Sequence, residues 1–240
     1  MNTTIKQLKS GVRDGIPIGL GYFAVSFTFG IMALNAGLSI WQSVVMSITN
    51  LTSAGQFAGL GIITTGASFA EMAAAQFVIN LRYSLMSCSL SQKLNHRVPF
   101  FHRLIMSYGV TDEVFGVSVC KSGELSPWYF YGLLLAAIPG WTLGTAAGAV
   151  SGSLLPERVL SALGIALYGM FLAVIIPPAR DNKILAGVIL LSMVCSLLFS
   201  LIPVLAGVSS GLKLIILTIG IAGLAACLFP VPDRGEVSCE

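Results

Sequence analysis

Residues 15–70 read GIPIGLGYFAVSFTFGIMALNAGLSIWQSVVMSITNLTSAGQFAGLGIITTGASFA, a run of 56 residues without Asp, Glu, Lys, Arg or His. A helix crosses the ~30 Å hydrocarbon core of a bilayer with about 20 apolar residues, so this run has room for at least two membrane segments. The later charge-free runs, at 125–156, 159–179, 184–212 and 214–232, have room for about one segment each.

The composition of the whole chain also indicates a membrane location. Of its 240 residues, 55% are hydrophobic and 10% are charged, whereas a soluble domain carries about 25% charged residues. So little charge cannot cover a water-facing surface, and a net charge of +3 is too small to indicate nucleic-acid binding. Because lipid offers no hydrogen-bond partner, we expect an all-α fold: a polytopic membrane helix bundle that forms one integral membrane domain over residues 1–240.

The charge-free runs and the turn residues between them divide the chain into about seven to eight membrane segments. The predicted segments are 15–35, 39–65, 68–91, 103–119, 127–151, 158–178, 184–204 and 212–231. The segment 103–119 is the weakest of these, because its apolar stretch is short and contains Asp112 and Glu113.

Two clusters of basic residues predict the orientation of the chain. The first cluster is Lys6, Lys9 and Arg13, and the second is Lys93, Arg97 and Arg103. Because Lys and Arg gather in cytoplasmic loops, we expect both clusters, and hence the N-terminus, on the cytoplasmic side of the cell membrane. Three full crossings would separate the clusters, so we expect that segment 39–65 does not cross as one straight helix.

A polar patch inside segment 39–65 gives a physical reason for a break. Its polar residues are Thr49, Asn50, Thr52, Ser53 and Gln56, and Gly55 weakens the helix locally. One interpretation is a continuous helix whose polar residues bond to neighbouring helices. The other is a broken or re-entrant helix near Ser53–Gly55, which membranes tolerate where the backbone is buried in protein or lines a cavity.

Glycines recur every fourth residue in two predicted helices. They are Gly140, Gly144, Gly148 and Gly152 in one, and Gly11, Gly15 and Gly19 around the first helix. Such a stripe lets another helix approach closely, which favours packing over a substrate path along the same face.

The sequence gives no indication of an enzyme. It contains no H-E-x-x-H, G-x-S-x-G or Walker A motif, and its two histidines, His96 and His102, both lie in the basic loop. The cysteines never occur as C-x-x-C, so no zinc site is expected. We therefore predict no catalytic residue, no metal and no cofactor.

A few ionisable residues lie in or near the apolar segments, where charge is costly and tends to pair, face a cavity or mark a transport path. Arg82 either extends its charged end to the membrane surface or holds a carboxylate, from a substrate or from Asp112 or Glu113. The pair Asp112–Glu113 either lies in a loop or relays protons. Glu71 is expected to be a favourable charge at a helix N-terminus.

Four motifs resemble those of the AzlC family, in the same order and spacing. They are Gly15-Ile16-Pro17-Ile18 followed by Gly21-Tyr22, then Ser53-Ala54-Gly55-Gln56-Phe57, Asn80-Leu81-Arg82-Tyr83 and Thr111-Asp112-Glu113. The resemblance implies the large subunit of a branched-chain amino-acid exporter, together with a small membrane partner of the AzlD type. In this chain Tyr83 stands where the family usually has histidine, and the glycine and serine of the second motif are exchanged.

The substrate site is predicted between the polar patch and the stretch 80–82. Its candidate residues are Asn50, Ser53, Gln56, Asn80 and Arg82, which offer polar partners to the zwitterionic end of a hydrophobic amino acid. Asp112 and Glu113 are the candidates for proton coupling. Two alternatives stay open, a membrane scaffold subunit without transport of its own and an unrecognised intramembrane enzyme.

Overall fold

A computed structural model describes residues 2–152, 158, 172, 176, 179–180, 182–202 and 208–229 of the chain. The helices of this part are α1 (Asn2–Asn35), α2 (Ile40–Thr49), α3 (Ser53–Thr64), α4 (Phe69–Lys93), α5 (Phe100–Tyr108), α6 (Asp112–Cys120), α7 (Pro127–Ser151), α8 (Lys183–Leu201) and α9 (Ser210–Leu228). No strand occurs among the described residues, and the all-α membrane fold is confirmed.

Four of these helices, α1, α7, α8 and α9, are long and apolar enough to cross a membrane. Helix α7 coincides with the predicted segment 127–151, whereas α1 begins at Asn2 rather than at residue 15. Its 34 residues span about 51 Å, far more than the hydrocarbon core, so the basic N-terminal turns continue the same helix beyond the apolar part. The predicted segment 158–178 lies largely outside the described residues.

The first broken helix confirms the prediction that segment 39–65 is interrupted. Helix α2 has ten residues and α3 has twelve, so each rises only about 15–18 Å. The break was expected at Ser53–Gly55, but it lies at residues 50–52: Asn50 is extended and ends α2, whereas Ser53 already belongs to α3. The Thr52 side chain accepts a hydrogen bond from the Gly55 N–H, which favours a helix start here rather than a break.

A second broken helix corrects the prediction for segment 103–119, which is not one helix. Helices α5 and α6 have nine residues each, and residues 109–111 separate them. Thr111 is extended and its hydroxyl accepts from the Val114 N–H, so it is the N-cap of α6. The two broken helices meet, because the Tyr108 hydroxyl at the end of α5 donates to the Ile48 carbonyl in the last turn of α2.

The described chain divides into two compact units. Unit 1 contains residues 2–56 and 80–152, and unit 2 contains 57–79, 182–202 and 208–229. In unit 2, α8 packs against α9, and both helices expose most of their apolar side chains, as expected for helices that face lipid.

The core of unit 1 is the packing of α1 against α7, and it confirms the packing role of the glycine stripes. Gly11 lies against Gly132 and Gly19 against Gly140, while Gly144 and Gly148 face the backbone of Phe23 and Phe27. A methyl group on Gly140 would lie 2.8 Å from the Gly19 Cα, so no side chain fits. In each of these pairs the residue of α7 follows the residue of α1 by 121 positions, which shows that the two helices run parallel.

Both basic clusters lie at the same end of unit 1. The Asp14 carboxylate in α1 accepts a hydrogen bond of 2.8 Å from the Tyr129 hydroxyl in the first turn of α7. The Leu125 N–H, just before α7, donates to the Lys93 carbonyl at the end of α4 over 2.9 Å. This arrangement is the one expected if both clusters face the same compartment.

Candidate functional site

Arg82 and Asp112 form an ion pair in unit 1. Arg82 lies near the middle of α4, and its Nη1 is 2.6 Å from Oδ2 of Asp112 in the first turn of α6. The side chains are 40% and 33% exposed, so the pair is partly open rather than sealed in the core. Among the described residues, the Arg82 Nε has no hydrogen-bond partner although it is buried. The pair thus uses one part of the guanidinium and leaves another donor unused.

Tyr83 connects this ion pair to the first helix break. The Arg82 Nη2 donates to the Tyr83 hydroxyl over 3.3 Å, and the guanidinium lies 5.0 Å from the centre of the Tyr83 ring. The Tyr83 side chain also interacts with that of Thr52, the buried residue just before α3. Helix α4 therefore bridges both breaks, with Asp112 on one side and Thr52 on the other.

Glu113 contacts a different residue from the one that Asp112 contacts. The Tyr22 hydroxyl in α1 donates to Glu113 Oε2 over 2.5 Å and is equally close to the Thr111 hydroxyl. Asp112 and Glu113 both lie in the first turn of α6, where the helix dipole favours negative charge. The two carboxylates are therefore distinct: Asp112 pairs with a partly exposed arginine, whereas Glu113 accepts a hydrogen bond from a buried tyrosine.

The predicted site residue Gln56 is fully buried, and both ends of its amide are bonded. The Trp141 indole N–H donates to Gln56 Oε1 over 2.8 Å, and Gln56 Nε2 donates to the Ser47 hydroxyl over 3.1 Å. The Ser47 hydroxyl is also hydrogen-bonded to Thr145 over 2.7 Å. This network of buried polar groups fixes the start of α3 against α2 and α7.

The other predicted site residues are partly buried around the first break and on α4. Asn50 ends α2, Ser53 begins α3, and Asn80 lies two residues before Arg82 on α4. Of all predicted residues, the structure brings Arg82 and Asp112 into direct contact.

The polar residues Tyr22, Tyr83, Trp141 and Thr145 were not predicted to belong to this site. Each of the first three is an aromatic residue with a polar atom, inside or next to an apolar run. Such residues find a hydrogen-bond partner when buried, so their position was a usable signal. The sequence did not indicate which residue the partner is, since Tyr22 and Glu113 are 91 residues apart.

Glu71 confirms the prediction of a charge at a helix N-terminus, in unit 2. It lies in the first turn of α4, where its N–H donates to the Ser68 hydroxyl. Its carboxylate also accepts from Ser209 and from the Leu212 N–H at the start of α9. One carboxylate therefore serves two helix N-termini, which explains its position without a role in transport.

These features identify a helical membrane protein: it has long apolar helices, two broken helices and a partly exposed ion pair between their ends. Residues 17–155 match the protein family described as AzlC protein, and the chain belongs to this family. The family is associated with branched-chain amino-acid transport.

Relatives of the chain are membrane proteins. An uncharacterized membrane protein of Archaeoglobus fulgidus is 32% identical over 76% of this chain and 80% of its own length. The inner membrane protein YgaZ of Escherichia coli is 28% identical over 80% of this chain and 85% of its own length. An uncharacterized membrane protein of Helicobacter pylori is 23% identical over 70% of the chain and 77% of its own length. No solved structure matches the chain.

Proposed function

We propose that this protein is a secondary active transporter that exports branched-chain and similar hydrophobic amino acids across the cytoplasmic membrane. The observation that carries the proposal is the Arg82–Asp112 pair, which lies between two helix breaks and is partly exposed. A scaffold subunit could be built from apolar and small residues alone, whereas an ion pair in such a place is costly unless it serves a ligand.

The charges of the ion pair match those of an amino-acid substrate. The zwitterion carries a carboxylate that fits Arg82 and an ammonium group that fits Asp112, so it replaces one ion pair by two. The Nε of Arg82 is buried and has no partner, so the proposed bidentate contact requires the guanidinium to turn toward the substrate carboxylate. The substrate would thus enter between the two side chains.

The first helix break supplies further polar groups for the substrate. The first turn of α3 contains no acidic residue, so its N–H groups offer a positive dipole end to a carboxylate. Ser53 lies in that turn, Asn50 ends α2, and Asn80 lies one turn of α4 or less from Arg82. Gln56 belongs to the proposed site as its support, because it holds this turn in place through Trp141 and Ser47.

Asp112 is the proposed site of proton coupling. When it is ionised it attracts the substrate ammonium, and when a proton neutralises it this attraction is lost. Proton and substrate then compete for one carboxylate, which is the condition for exchanging one for the other across a membrane. Glu113 assists from the Tyr22 side, where its hydrogen bond ties α6 to α1.

Several hydrophobic amino acids should share this transporter. One methylene in an apolar pocket is worth only about 1–3 kcal/mol of discrimination, so leucine, isoleucine, valine and methionine compete for it. Charged amino acids are excluded, because their side chains bring an additional charge into the membrane.

The proposed partner is a small membrane subunit of the AzlD type, as the family resemblance implies. The test is efflux of labelled leucine from loaded cells that express this chain, the small subunit, both or neither. Efflux that requires both proteins and stops when the proton gradient is collapsed supports the proposal. Leucine efflux equal to that of control cells in every combination contradicts it.

The proposed orientation places the N-terminus in the cytoplasm. Lys9→Cys and Lys93→Cys, both at the same end of unit 1, should be protected from an impermeant thiol reagent added to intact cells. Both should react after the cells are opened. Labelling of either position in intact cells would reverse the orientation of that end.

A further inference from the structure

A separate cavity of about 190 Å³ lies in unit 1 between the end of α4 and α5. Its lining does not include the Arg82–Asp112 pair or any residue of the first helix break. The cavity is open on one side and lies next to the second basic cluster, since Arg103 of that cluster forms part of its wall.

The walls of the cavity combine an apolar floor with a polar rim. The floor consists of Leu90, Leu94, Met106 and Val110, all of them buried apolar side chains. The rim consists of Ser87, Ser91, Ser107 and Arg103. A ligand that fits both parts has an aliphatic body and a polar, anionic end.

Arg103 is held in place at the rim but its charge is not neutralised. Its Nη1 donates to the Ser91 hydroxyl over 2.9 Å, its Nη2 to the Asn95 carbonyl over 3.2 Å and its Nε to the Val98 carbonyl over 3.4 Å. No carboxylate of the described residues forms an ion pair with it, in contrast to Arg82. A guanidinium has five N–H donors, so one N–H on each Nη remains for a carboxylate.

The volume of the cavity suits a short ligand rather than a lipid chain. A cavity of about 150 Å³ with aliphatic walls holds a molecule the size of benzene. A volume of about 190 Å³ therefore accommodates a branched side chain of four or five carbons, with its carboxylate at the rim.

We propose that this cavity is a second binding site for the transported branched-chain amino acid, with the side chain on the apolar floor and the carboxylate on Arg103. The identity of the ligand rests on the proposed function, whereas the shape and charge of the site do not. The site would collect substrate at the end of the protein that carries the basic clusters, before the substrate reaches the Arg82–Asp112 pair.

The test is local protection of an introduced cysteine in the full chain, reconstituted in lipid nanodiscs. Ser87→Cys, in a Cys88→Ser background, is labelled with a maleimide, and labelling is followed on the peptide that carries position 87. Leucine should slow the labelling, whereas glutamate and leucinol, which lacks the carboxylate, should not. The matched control is Ser89→Cys on the same helix, which does not line the cavity and should not respond to leucine.

Two further variants examine the polar rim and the cavity itself. Arg103→Gln should raise the leucine concentration needed for protection by about tenfold or more, because a hydrogen bond to a charged group is lost. Arg97→Gln, in the same basic cluster but outside the cavity, should leave that concentration unchanged. Ser107→Leu, which fills the rim without changing Arg103, should also remove protection.

Three results would overturn the second site. The first is that leucine does not slow the labelling, and the second is that leucinol slows it as much as leucine does. The third is that labelling is slow in nanodiscs and fast in detergent, with no effect of leucine in either. The last would mean that lipid fills the cavity. If protection is absent while leucine efflux is intact, the second site fails alone. If leucine protects position 87 but no efflux occurs, the site stands and the proposed function fails.

Discussion

The two helix breaks of unit 1 differ in what occupies the start of the helix that follows each of them. Helix α6 begins with its own charges, because Asp112 and Glu113 lie in its first turn and Thr111 caps it. Helix α3 has no acidic residue in its first turn, and its neighbour across the break, Asn50, is uncharged. A threonine hydroxyl accepts from an N–H of the first turn in both helices, so the two starts differ in charge: carboxylates compensate the N-terminal end of α6, whereas none lies at that of α3.

This difference assigns separate tasks to the two breaks. A substrate carboxylate is attracted to the start of α3 and repelled from the start of α6, while a cation prefers the reverse. Arg82 lies on α4 between them and contacts the acidic side directly and the other side through Tyr83. The asymmetry predicts that variants at the two breaks will have different effects.

Arg82→Lys should have the largest effect, since Arg82 serves both breaks. A lysine keeps the charge but loses the planar fork, so we expect leucine efflux to fall about 10–100-fold for the loss of charge-assisted hydrogen bonds. The measurement is initial efflux from loaded cells with membrane abundance checked by immunoblot. Arg97→Lys, outside the site, is the control, and near-normal efflux by Arg82→Lys would remove Arg82 from the substrate site.

The two carboxylates of α6 should differ in their effect on coupling. Asp112→Asn keeps the shape but cannot release a proton, so efflux driven by a pH gradient should fall about tenfold, as expected for losing one charge-assisted contact. Glu113→Gln retains an acceptor for the Tyr22 hydroxyl and should lose less. Equal loss in both variants, measured in proteoliposomes at several pH values, would show that they act as one unit.

Gln56→Ala should affect stability more than substrate specificity. It leaves the Trp141 N–H and the Ser47 hydroxyl without their partner in a buried place, at a cost of about 1–3 kcal/mol. We expect a lower melting temperature in detergent and reduced efflux of all substrates by the same factor. A change in the preference between leucine and valine at unchanged stability would instead place Gln56 in contact with the substrate.

The smallest effects are expected from the residues that begin α3 and α6. Thr111→Ala and Thr52→Ala each remove a capping hydroxyl, which costs about 1 kcal/mol. Melting temperatures should therefore fall by similar amounts. Because Thr52 also contacts Tyr83, only Thr52→Ala should reduce efflux beyond its loss of stability, and equal efflux in both variants would contradict the asymmetry of the breaks.

The membrane fold could be predicted because charged residues are scarce and because long runs of the sequence contain none of them. The segment 127–151 was predicted with the bounds of α7 from the charge-free run 125–156, and in the structure Pro127 is the first residue of this helix, a position that favours proline. The break in 39–65 was predicted from polar residues that cannot all face lipid. The position of the break could not be predicted, because Thr52 caps the helix only through a hydrogen bond from the Gly55 N–H that depends on local geometry.

The second break and most of the polar network could not be derived in the same way. In segment 103–119 the acidic pair indicated a weak crossing, although Thr111 followed by two carboxylates is also typical of a helix start. The hydrogen bonds of Tyr22 and Trp141 join residues 85 to 91 positions apart, and helical periodicity contains no information about such contacts. Arg82 was a candidate site residue because a charge inside a membrane is costly. The sequence did not decide whether its partner is Asp112 or Glu113.

The parallel contact of α1 and α7 has a consequence for how the protein is made. The glycines that receive α1 emerge from the ribosome 121 residues after those they face. At 5–20 residues per second, α1 spends about 6–24 seconds in the membrane before its partner exists. During this time its glycine face is open to other helices of the translocation machinery or of neighbouring proteins. A chain shortened before Pro127 would therefore retain an unpaired first helix, and quality-control proteases would encounter it in that state.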